Sequence, residues 1–481
     1  MEVKRPILIA GAGVMLLSAT LKMGLTLFLC LSAILVVLSF ALSFLMKQRL
    51  HFIFVAFVFM LFSLVGTVSH KNAAVIQNRA GETANVKVLI TQISKLEGRY
   101  AYFATGKIES INGEKQHGAK ISLYLYNNQE VERGDRVTVR TTLDTDNVND
   151  HMFSQNIFLQ GYDVEILSRT QNANFLETAM GKLQNLVKEK VLKNLSGRAA
   201  QFILAVIIGD TGGIDDQTYA NMKASGILHL VVVSGTHFTT VCAAVMAFAK
   251  RLCPRRKAKG VITLLLIAFI MLFCGFSMPV VRSGIAYFIL TLGIFINREG
   301  DSLCALAATT VIILFLCPFG FYSVSLLLTL AATFGILVVT PIINKVTKIE
   351  KLRNKPLLFD LLNLITVTVS ANMTTLPILM YTYDSVCLVS LITNLLINYA
   401  VSAVLVLALV AVVSPLSFVT KPLIMLSGLL SNYSLKVIDF CANIPLANVR
   451  VDGKRFAAVT VIIYLIITAV YLVLKKRSVK N

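Results

Sequence analysis

NVKVLITQIS, residues 85–94, places Val86, Val88 and Ile90 on one parity and Asn85, Lys87, Thr91 and Ser94 among the polar positions between and after them. Alternation at period two is the pattern of a half-buried strand. Four further stretches repeat it: RYAYFATGKI (99–108), AKISLYLY (119–126), GDRVTVRTTL (134–143) and GYDVEIL (161–167), with Glu-Gly, Asn-Gly and Arg-Gly as the punctuation. They lie in a polar segment, 71–170, that carries 12 basic and 12 acidic side chains and no cysteine. Five strands in a segment of that size predict a small β-barrel. The OB-fold is the five-stranded candidate, with another barrel or a sandwich left open by spacing alone.

The surroundings of this segment are of another kind. Of 481 residues, 56% are hydrophobic and 15% charged, and the mean hydropathy is +0.74. The apolar residues come in blocks long enough to cross a hydrocarbon layer of roughly 30 Å. Three blocks, 6–20, 23–46 and 50–69, precede the polar segment. The first is short and follows MEVKR, so a signal-like segment is the alternative, but no small-residue cleavage site stands out and the block is read as retained. After residue 170 the period becomes helical. FLETAMGKLQNLVKEKVLKNL (175–195) aligns Phe175, Leu176, Met180, Leu183, Leu186, Val187, Val191 and Leu195, which predicts an amphipathic helix lying on a membrane surface or on the barrel. In 198–227, Gly212-Gly213 breaks the chain and Asp215-Asp216 are plausible caps of a new short helix. Nine further candidate spans follow, near 227–249, 261–276, 282–297, 303–317, 323–342, 357–382, 385–414, 421–440 and 455–474; several are short or contain Pro, which puts the number between eight and ten.

These readings combine into a polytopic α-helical membrane protein with an inserted extracytoplasmic β-barrel of OB-like type. The expected organisation is N-terminal transmembrane helices in 1–70, the β-domain in 71–170, an amphipathic helix with a re-entrant or loop segment in 171–226, and a helical membrane core in 227–481. The formal net charge of +20 would suggest nucleic acid in a soluble protein; here the orientation bias of basic loops has first to be subtracted. The loops 251–259 and 344–355 and the tail 475–480 are strongly basic and fall on one side together with MEVKR when the spans alternate. That side is expected to be the cytoplasm, with the β-domain outside. The eight cysteines lie in or beside apolar blocks without paired spacing, so neither a disulfide framework nor a zinc site is indicated.

One apolar stretch is chemically odd. HLVVVSGTHFTTV, residues 229–241, holds His229, Ser234, Gly235 and His237 at expected membrane depth. Polar groups there are costly unless they face a cavity or find partners. The structural alternative is local: hydroxyls bonding to the preceding turn, Gly235 allowing close helix packing, and each His met by a neighbour. For the cluster as a whole the functional reading is favoured. A Ser234–His237 nucleophile and base lacks an elbow and a third orienting group. Two histidines with Asp210 lack any ligand-spaced metal motif.

GD at 209–210, the short helix after it, and SGILHLVVVSGTHFTTV (225–241) resemble the signature of the ComEC family of competence DNA-uptake channels, whose common form is GxxHLLAISGLH. SMPVVRSGI (277–285) resembles the family's Pro-x-x-Arg helix start, REGDSLCALAA (298–308) its Arg-x-x-Asp-x-x-x-Ala-Leu loop, and TTLPILMYTYDSVCLVSLITNLL (374–396) its TLP…NLL segment. ERGDRVTVRTTL and FLQGY are similar to its extracellular OB-type domain, so the resemblance covers about 70 to 481. Thr236 replaces the usual Leu between Gly and His, and NYAV (398–401) stands where Pro is usual. Many relatives continue into a metallo-β-lactamase-like domain, whereas no HxHxDH run occurs before Asn481.

The resemblance implies a channel that passes single-stranded DNA into the bacterial cytoplasm, without enzymatic activity, cofactor or metal of its own. It assigns Asp210, His229, Ser234, Gly235, His237, Pro279, Arg282 and Asn394 to the path or its bends, with Arg282 attracting phosphate, Gly235 and Pro279 distorting helices, and the His and Ser lining the path. Tyr100, Tyr102 and Phe103, with Arg99 and Lys107, are candidates for base stacking and backbone attraction on the β-domain, with core packing expected of at least one ring. Expected partners are single-stranded DNA, membrane lipids, and other competence proteins: a DNA receptor, a cytoplasmic translocation ATPase and a separate nuclease; a homo-oligomer is also considered. The competing readings are a solute or ion transporter with a midplane polar site, for which internal inverted repeats would speak, and a membrane enzyme or scaffold.

Overall fold

The computed structural model describes residues 5–45, 49–95, 102–116, 118–126, 129, 131–171, 173–227, 240–241, 256–274, 278–296, 301–347, 349, 354–387, 389–414, 416–445, 448–453, 455 and 460. Three helices open the chain: α1 (Pro6–Leu21), α2 (Leu25–Leu45) and α3 (Arg49–Gln77). They match the first three apolar blocks, and α3 runs past the predicted end into the polar segment. The strands that follow are β1 (Thr83–Lys95), β2 (Tyr102–Ile111), the two-residue β3 (Glu114–Lys115), β4 (Lys120–Leu125), β5 (Arg136–Asp144) and β6 (Ile157–Thr170), with a one-turn helix α4 (Asp150–Phe153) before β6.

The sheet closes on itself. β1 pairs antiparallel with both β2 and β5, β2 with β4, and β5 with β6, while β4 and β6 run parallel. Five strands joined in that order make a closed barrel of OB type, with β3 a short hairpin return on β2. The inward parity read from the sequence is the core: Val86, Val88, Ile90, Ala104, Ile121, Leu123, Leu125, Val137, Val139, Leu143 and Leu159 are each 2% exposed or less. Gly106 sits where β1 shifts register; a Cβ there would lie 2.2 Å from Val88 Cγ1 and 2.8 Å from the Leu89 carbonyl oxygen, so the tight barrel wall requires glycine.

The helices after the barrel are α5 (Phe175–Asn194), α6 (Gly197–Ile208), α7 (Asp216–Ala224), α8 (Arg256–Phe273), α9 (Met278–Ile296), α10 (Ser302–Leu316), α11 (Val324–Phe334), α12 (Thr340–Val346), α13 (Pro356–Tyr383), α14 (Ser390–Val413) and α15 (Ser417–Ala442). A π-helical turn, Gly335–Val339, joins α11 to α12. Among the described residues six stretches are long and apolar enough to cross a membrane: Leu25–Phe44, Arg49–Gln77, Val324–Val346, Leu358–Tyr383, Ser390–Val412 and Ser417–Ala442. The chain is a multi-pass membrane protein. A strand β7 (Ser385–Cys387) pairs with β8 (Asn448–Arg450), so the span expected from residue 385 begins instead at Ser390. Asp384, at φ 48°, ends α13 in the left-handed conformation and turns the chain into β7.

Two units can be distinguished, one of Met1–Asp215, His229–Leu326 and Ala400–Tyr433, the other of Asp216–Leu228, Leu327–Tyr399 and Ser434–Asn481. Within the first, the barrel is fixed to the helices at two places. Phe153 and Phe158 close around Phe319 with ring centroids 4.7 Å and 5.9 Å away, beside the loop that Tyr322 ties to the α1 carbonyl of Ala19 at 2.6 Å. At the other place Arg133, from the β4–β5 loop, is 8% exposed and spans three elements. Its Nε donates to Glu177 Oε2 of α5 at 2.8 Å, while Nη1 and Nη2 donate to the Phe273 and Leu272 carbonyls at the end of α8, at 3.0 and 2.7 Å.

The amphipathic helix is therefore a strut. Asn174 caps α5 by accepting from the Leu176 and Glu177 amides. Gln184 donates to the Phe273 carbonyl at 2.7 Å, and Lys190 to the Val412 and Ser414 carbonyls at the end of α14, at 2.6 and 3.0 Å. Val187 and Val191 are buried, whereas Phe175, Leu176, Leu186 and Leu192 stay exposed as an apolar edge.

Candidate functional site

Arg282 is a buried charge of the first unit. α9 starts at Met278, and Pro279 lies in its first turn, where a missing N–H costs no helical bond. The distortion expected of Pro279 is thus the start of a helix and not a bend within one. One turn further, Arg282 is 4% exposed, and its Nη1 donates to the Ser325 carbonyl at 3.1 Å. Among the described residues that carbonyl is its one hydrogen-bond partner and no carboxylate faces it. A guanidinium has five N–H donors. Burial of a guanidinium with no counter-ion among the described residues is costly, and the Ser325 carbonyl satisfies one of its donors.

Asp210 is in a different situation. It follows Gly209, which ends α6 in the left-handed region at φ 75°. One carboxylate oxygen accepts from the Gly212 amide at 3.2 Å and the other pairs with Lys188 of α5 at 2.6 Å. Both contacts fix the loop to the strut, so its charge has an internal use. Asn394 lies on α14 in the second unit, with its Oδ1 buried and without a partner among the described residues. His229, Ser234, Gly235 and His237, and on the β-domain Arg99 and Tyr100, lie outside the described residues.

On the barrel the parity of the strands separates the remaining candidates. Tyr102 shares the inward parity of Ala104, whereas Phe103 and Lys107 point outward with Lys107 exposed. The register of β2 on β4 sets Phe103 opposite Tyr124, and that of β4 on β6 sets Tyr162 beside Tyr124. The three rings make a row across the outer face: Phe103 meets Tyr124 edge-on at 5.3 Å, and Tyr124 stacks on Tyr162 at 4.8 Å with the planes 7° apart. Polar groups hold its ends, with the Tyr126 hydroxyl donating to Asp163 at 2.9 Å and Asn147 to the Tyr162 hydroxyl at 3.3 Å. Tyr124 and Tyr162 were not singled out by sequence reasoning. The outward parity of Tyr124 is legible in AKISLYLY, but its neighbour on β6 depends on a parallel register that no single strand encodes. Such half-exposed rings on an OB-type wall are the surface on which nucleobases stack in other proteins.

A family model described as "Competence protein" matches residues 206–477, more than half of the chain. The chain belongs to the competence protein family. The matched region starts in α6, takes in Asp210, Arg282 and Asn394, and leaves the barrel outside it. ComE operon protein 3 of Bacillus subtilis (strain 168) is 22% identical over 398 residues, which are 79% of this chain and 48% of that relative. The chain thus spans about half the length of the curated relative it matches. No solved structure matches it.

Proposed function

We propose that this competence-family chain is the membrane channel through which single-stranded DNA enters the cytoplasm during natural transformation. The observation that carries the reading is the family match over 206–477, which runs from the end of α6 through α15. Arg282 supports it chemically: a buried guanidinium with a single neutral partner among the described residues is suited to attract a passing phosphate. Asp210 acts as a loop anchor through Lys188, and Asn394, in the second unit, carries a buried carbonyl oxygen with no partner among the described residues. His229, Ser234, Gly235 and His237 are assigned to the same lining, on the resemblance of 225–241 to the family signature.

The barrel, in this reading, faces the outside and receives the strand before entry. Its row of Phe103, Tyr124 and Tyr162 gives bases a stacking surface that needs no net positive charge, which suits a segment with equal numbers of acidic and basic residues. The basic loops 251–259 and 344–355 and the tail then lie in the cytoplasm. Cleavage of the incoming duplex and the work of pulling belong to separate competence proteins, and the channel chemistry is binding and conduction rather than catalysis. Deleting the gene and following labelled DNA is the test: surface binding persists while no label reaches the nuclease-protected cytoplasmic pool. Normal entry in the deletion strain would refute the proposal.

A further inference from the structure

The second unit carries two exposed rings beside a lysine that the channel reading leaves unused. α7 (DQTYANMKA) is polar and buries Thr218 and Met222, at 2% and 0% exposure, while Tyr219 is 43% exposed. Lys223 is exposed as well and follows Tyr219 by four residues, the spacing that sets two side chains next to each other on a helix. Its Nζ lies 5.8 Å from the ring centroid of Tyr383, the last residue of α13, which is 44% exposed. Tyr219 and Tyr383 are within electrostatic reach of each other, so the two rings and the ammonium form one cluster.

The short helix is held in place by its neighbours. Gly226, at φ 74°, closes it: the Gly226 amide donates to the Lys223 carbonyl at 3.1 Å and the Ile227 amide to that of Met222 at 3.0 Å. A Cβ on Gly226 would lie 2.6 Å from Ser390 Cβ, so this cap packs directly on the start of α14. Asn221 Nδ2 donates to Asp439 Oδ1 of α15 at 2.8 Å, and Cys387 Sγ of β7 donates to the Ala224 carbonyl at 3.0 Å. The acids next to the cluster are engaged elsewhere, Asp439 by Asn221 and Asp384 by the Gly453 amide at 3.2 Å, which leaves Lys223 without a carboxylate partner among the described residues.

A tyrosine at the end of a span has an ordinary use, anchoring at the level of the lipid headgroups. Tyr219 does not fit that use, because α7 is no span and its other exposed residues, Asp216, Gln217 and Ala220 beside Lys223, are polar or small. Exposed rings beside an ammonium match instead what a single strand offers, a flat base with a phosphate next to it. We propose that Tyr219, Lys223 and Tyr383 form a second contact for single-stranded DNA, in which a base stacks on the rings and Lys223 holds the adjoining phosphate. This contact rests on the channel reading. In the orientation given there, α13 starts beside the cytoplasmic loop 344–355 and ends outside, and α7 lies between the external barrel and the next span, so all three groups face the incoming strand. The strand is then held where the chain enters 225–241, the stretch that resembles the family signature.

The test uses the full chain in nanodiscs of neutral phosphatidylcholine and an oligothymidylate carrying iodouracil, irradiated so that a stacked base couples to the ring beneath it, with the adducts mapped by mass spectrometry. Adducts form at Tyr219 or Tyr383 as well as on the barrel, and none forms at Tyr381, which is 62% exposed but points to another side of α13. Tyr219→Ala raises the DNA concentration for half-maximal coupling at Tyr383 about tenfold. Lys223→Gln lowers the slope of log affinity against log salt at that ring by about 0.7, whereas Lys223→Arg keeps the parent's slope and Tyr381→Ala changes neither quantity. Should Tyr219→Ala fail to assemble, the slope change at the exposed Lys223 decides. Coupling on the barrel with none at Tyr219 or Tyr383 would show that these rings anchor in the headgroup layer; it overturns this proposal and leaves the channel reading in place, whereas a chain that couples nowhere contradicts both. Coupling at Tyr383 that neither Tyr219→Ala nor Lys223→Gln moves would also overturn the proposal.

Discussion

Replacing Arg133 by leucine removes one of the two attachments between the barrel and the helices, and its cost can be worked from the contacts. Glu177 would remain as an unpaired carboxylate with a side chain 9% exposed. Breaking a buried pair from one side costs about 3–5 kcal/mol. The Leu272 carbonyl would also lose a donor, whereas the Phe273 carbonyl keeps Gln184. The upper half of that range is therefore expected, equivalent to a rise of roughly 10³-fold in the population of the opened state. Removing both charges in Arg133→Leu/Glu177→Leu leaves no orphaned ion, so the double variant loses at least about 2 kcal/mol less than the two singles summed. Proteolytic sensitivity of the solubilised chain, measured where opening and closing outpace cleavage, reports that population. A single variant within about 1 kcal/mol of the parent, or a double variant equal to the sum, would refute the picture of a buried latch.

Three other outcomes follow from the same geometry. Tyr124→Ala weakens single-stranded DNA binding by about 1–3 kcal/mol, and because no phosphate contact is lost, the slope of log affinity against log salt, read by fluorescence anisotropy, stays that of the parent. For Arg282, lysine retains part of DNA uptake and leucine does not, in membranes where immunoblots show equal amounts of each variant; full uptake by Arg282→Leu would remove this residue from the path. In a cysteine-free background, a cysteine at Asn112 in the β2–β3 turn reacts with impermeant maleimide on intact cells and one at Lys348 does not; the reverse pattern would invert the orientation.

What could be read from the sequence followed from short-range periodicity. The five barrel strands, the three opening helices and the strut α5 are set by the spacing of apolar side chains, and their bounds fall within a few residues of the observed ones except at the end of α3, which runs to Gln77 instead of 69. Closure of the barrel was not legible, because the parallel pairing of Lys120–Leu123 with Ile157–Gly161 joins segments nearly forty residues apart. The β7–β8 pair escaped for the same reason: SVC and NVR carry no signal until Val386 meets Val449. Among candidate site residues, Arg282 is legible as a charge in an apolar run, whereas its burial and its bond to the Ser325 carbonyl depend on packing that the run does not encode. The ring row was half visible, since Phe103 is one strand's contribution to a surface made by three. Arg133 and Glu177 look like ordinary loop and helix charges in sequence, and only their burial against the end of α8 distinguishes them.

The central claim is that DNA passes through the helical core, and cross-linking in transit tests it most directly. A photoreactive amino acid at Ala286, one turn from Arg282 on α9, is introduced into the otherwise native chain, and cells are irradiated while labelled DNA is entering. The account predicts a covalent adduct between this position and single-stranded DNA that forms only during uptake and vanishes once the pool is chased into the cytoplasm. DNA that reaches the cytoplasm at the normal rate while no adduct forms at Ala286, although the same probe beside Tyr124 on the barrel does react, would contradict it.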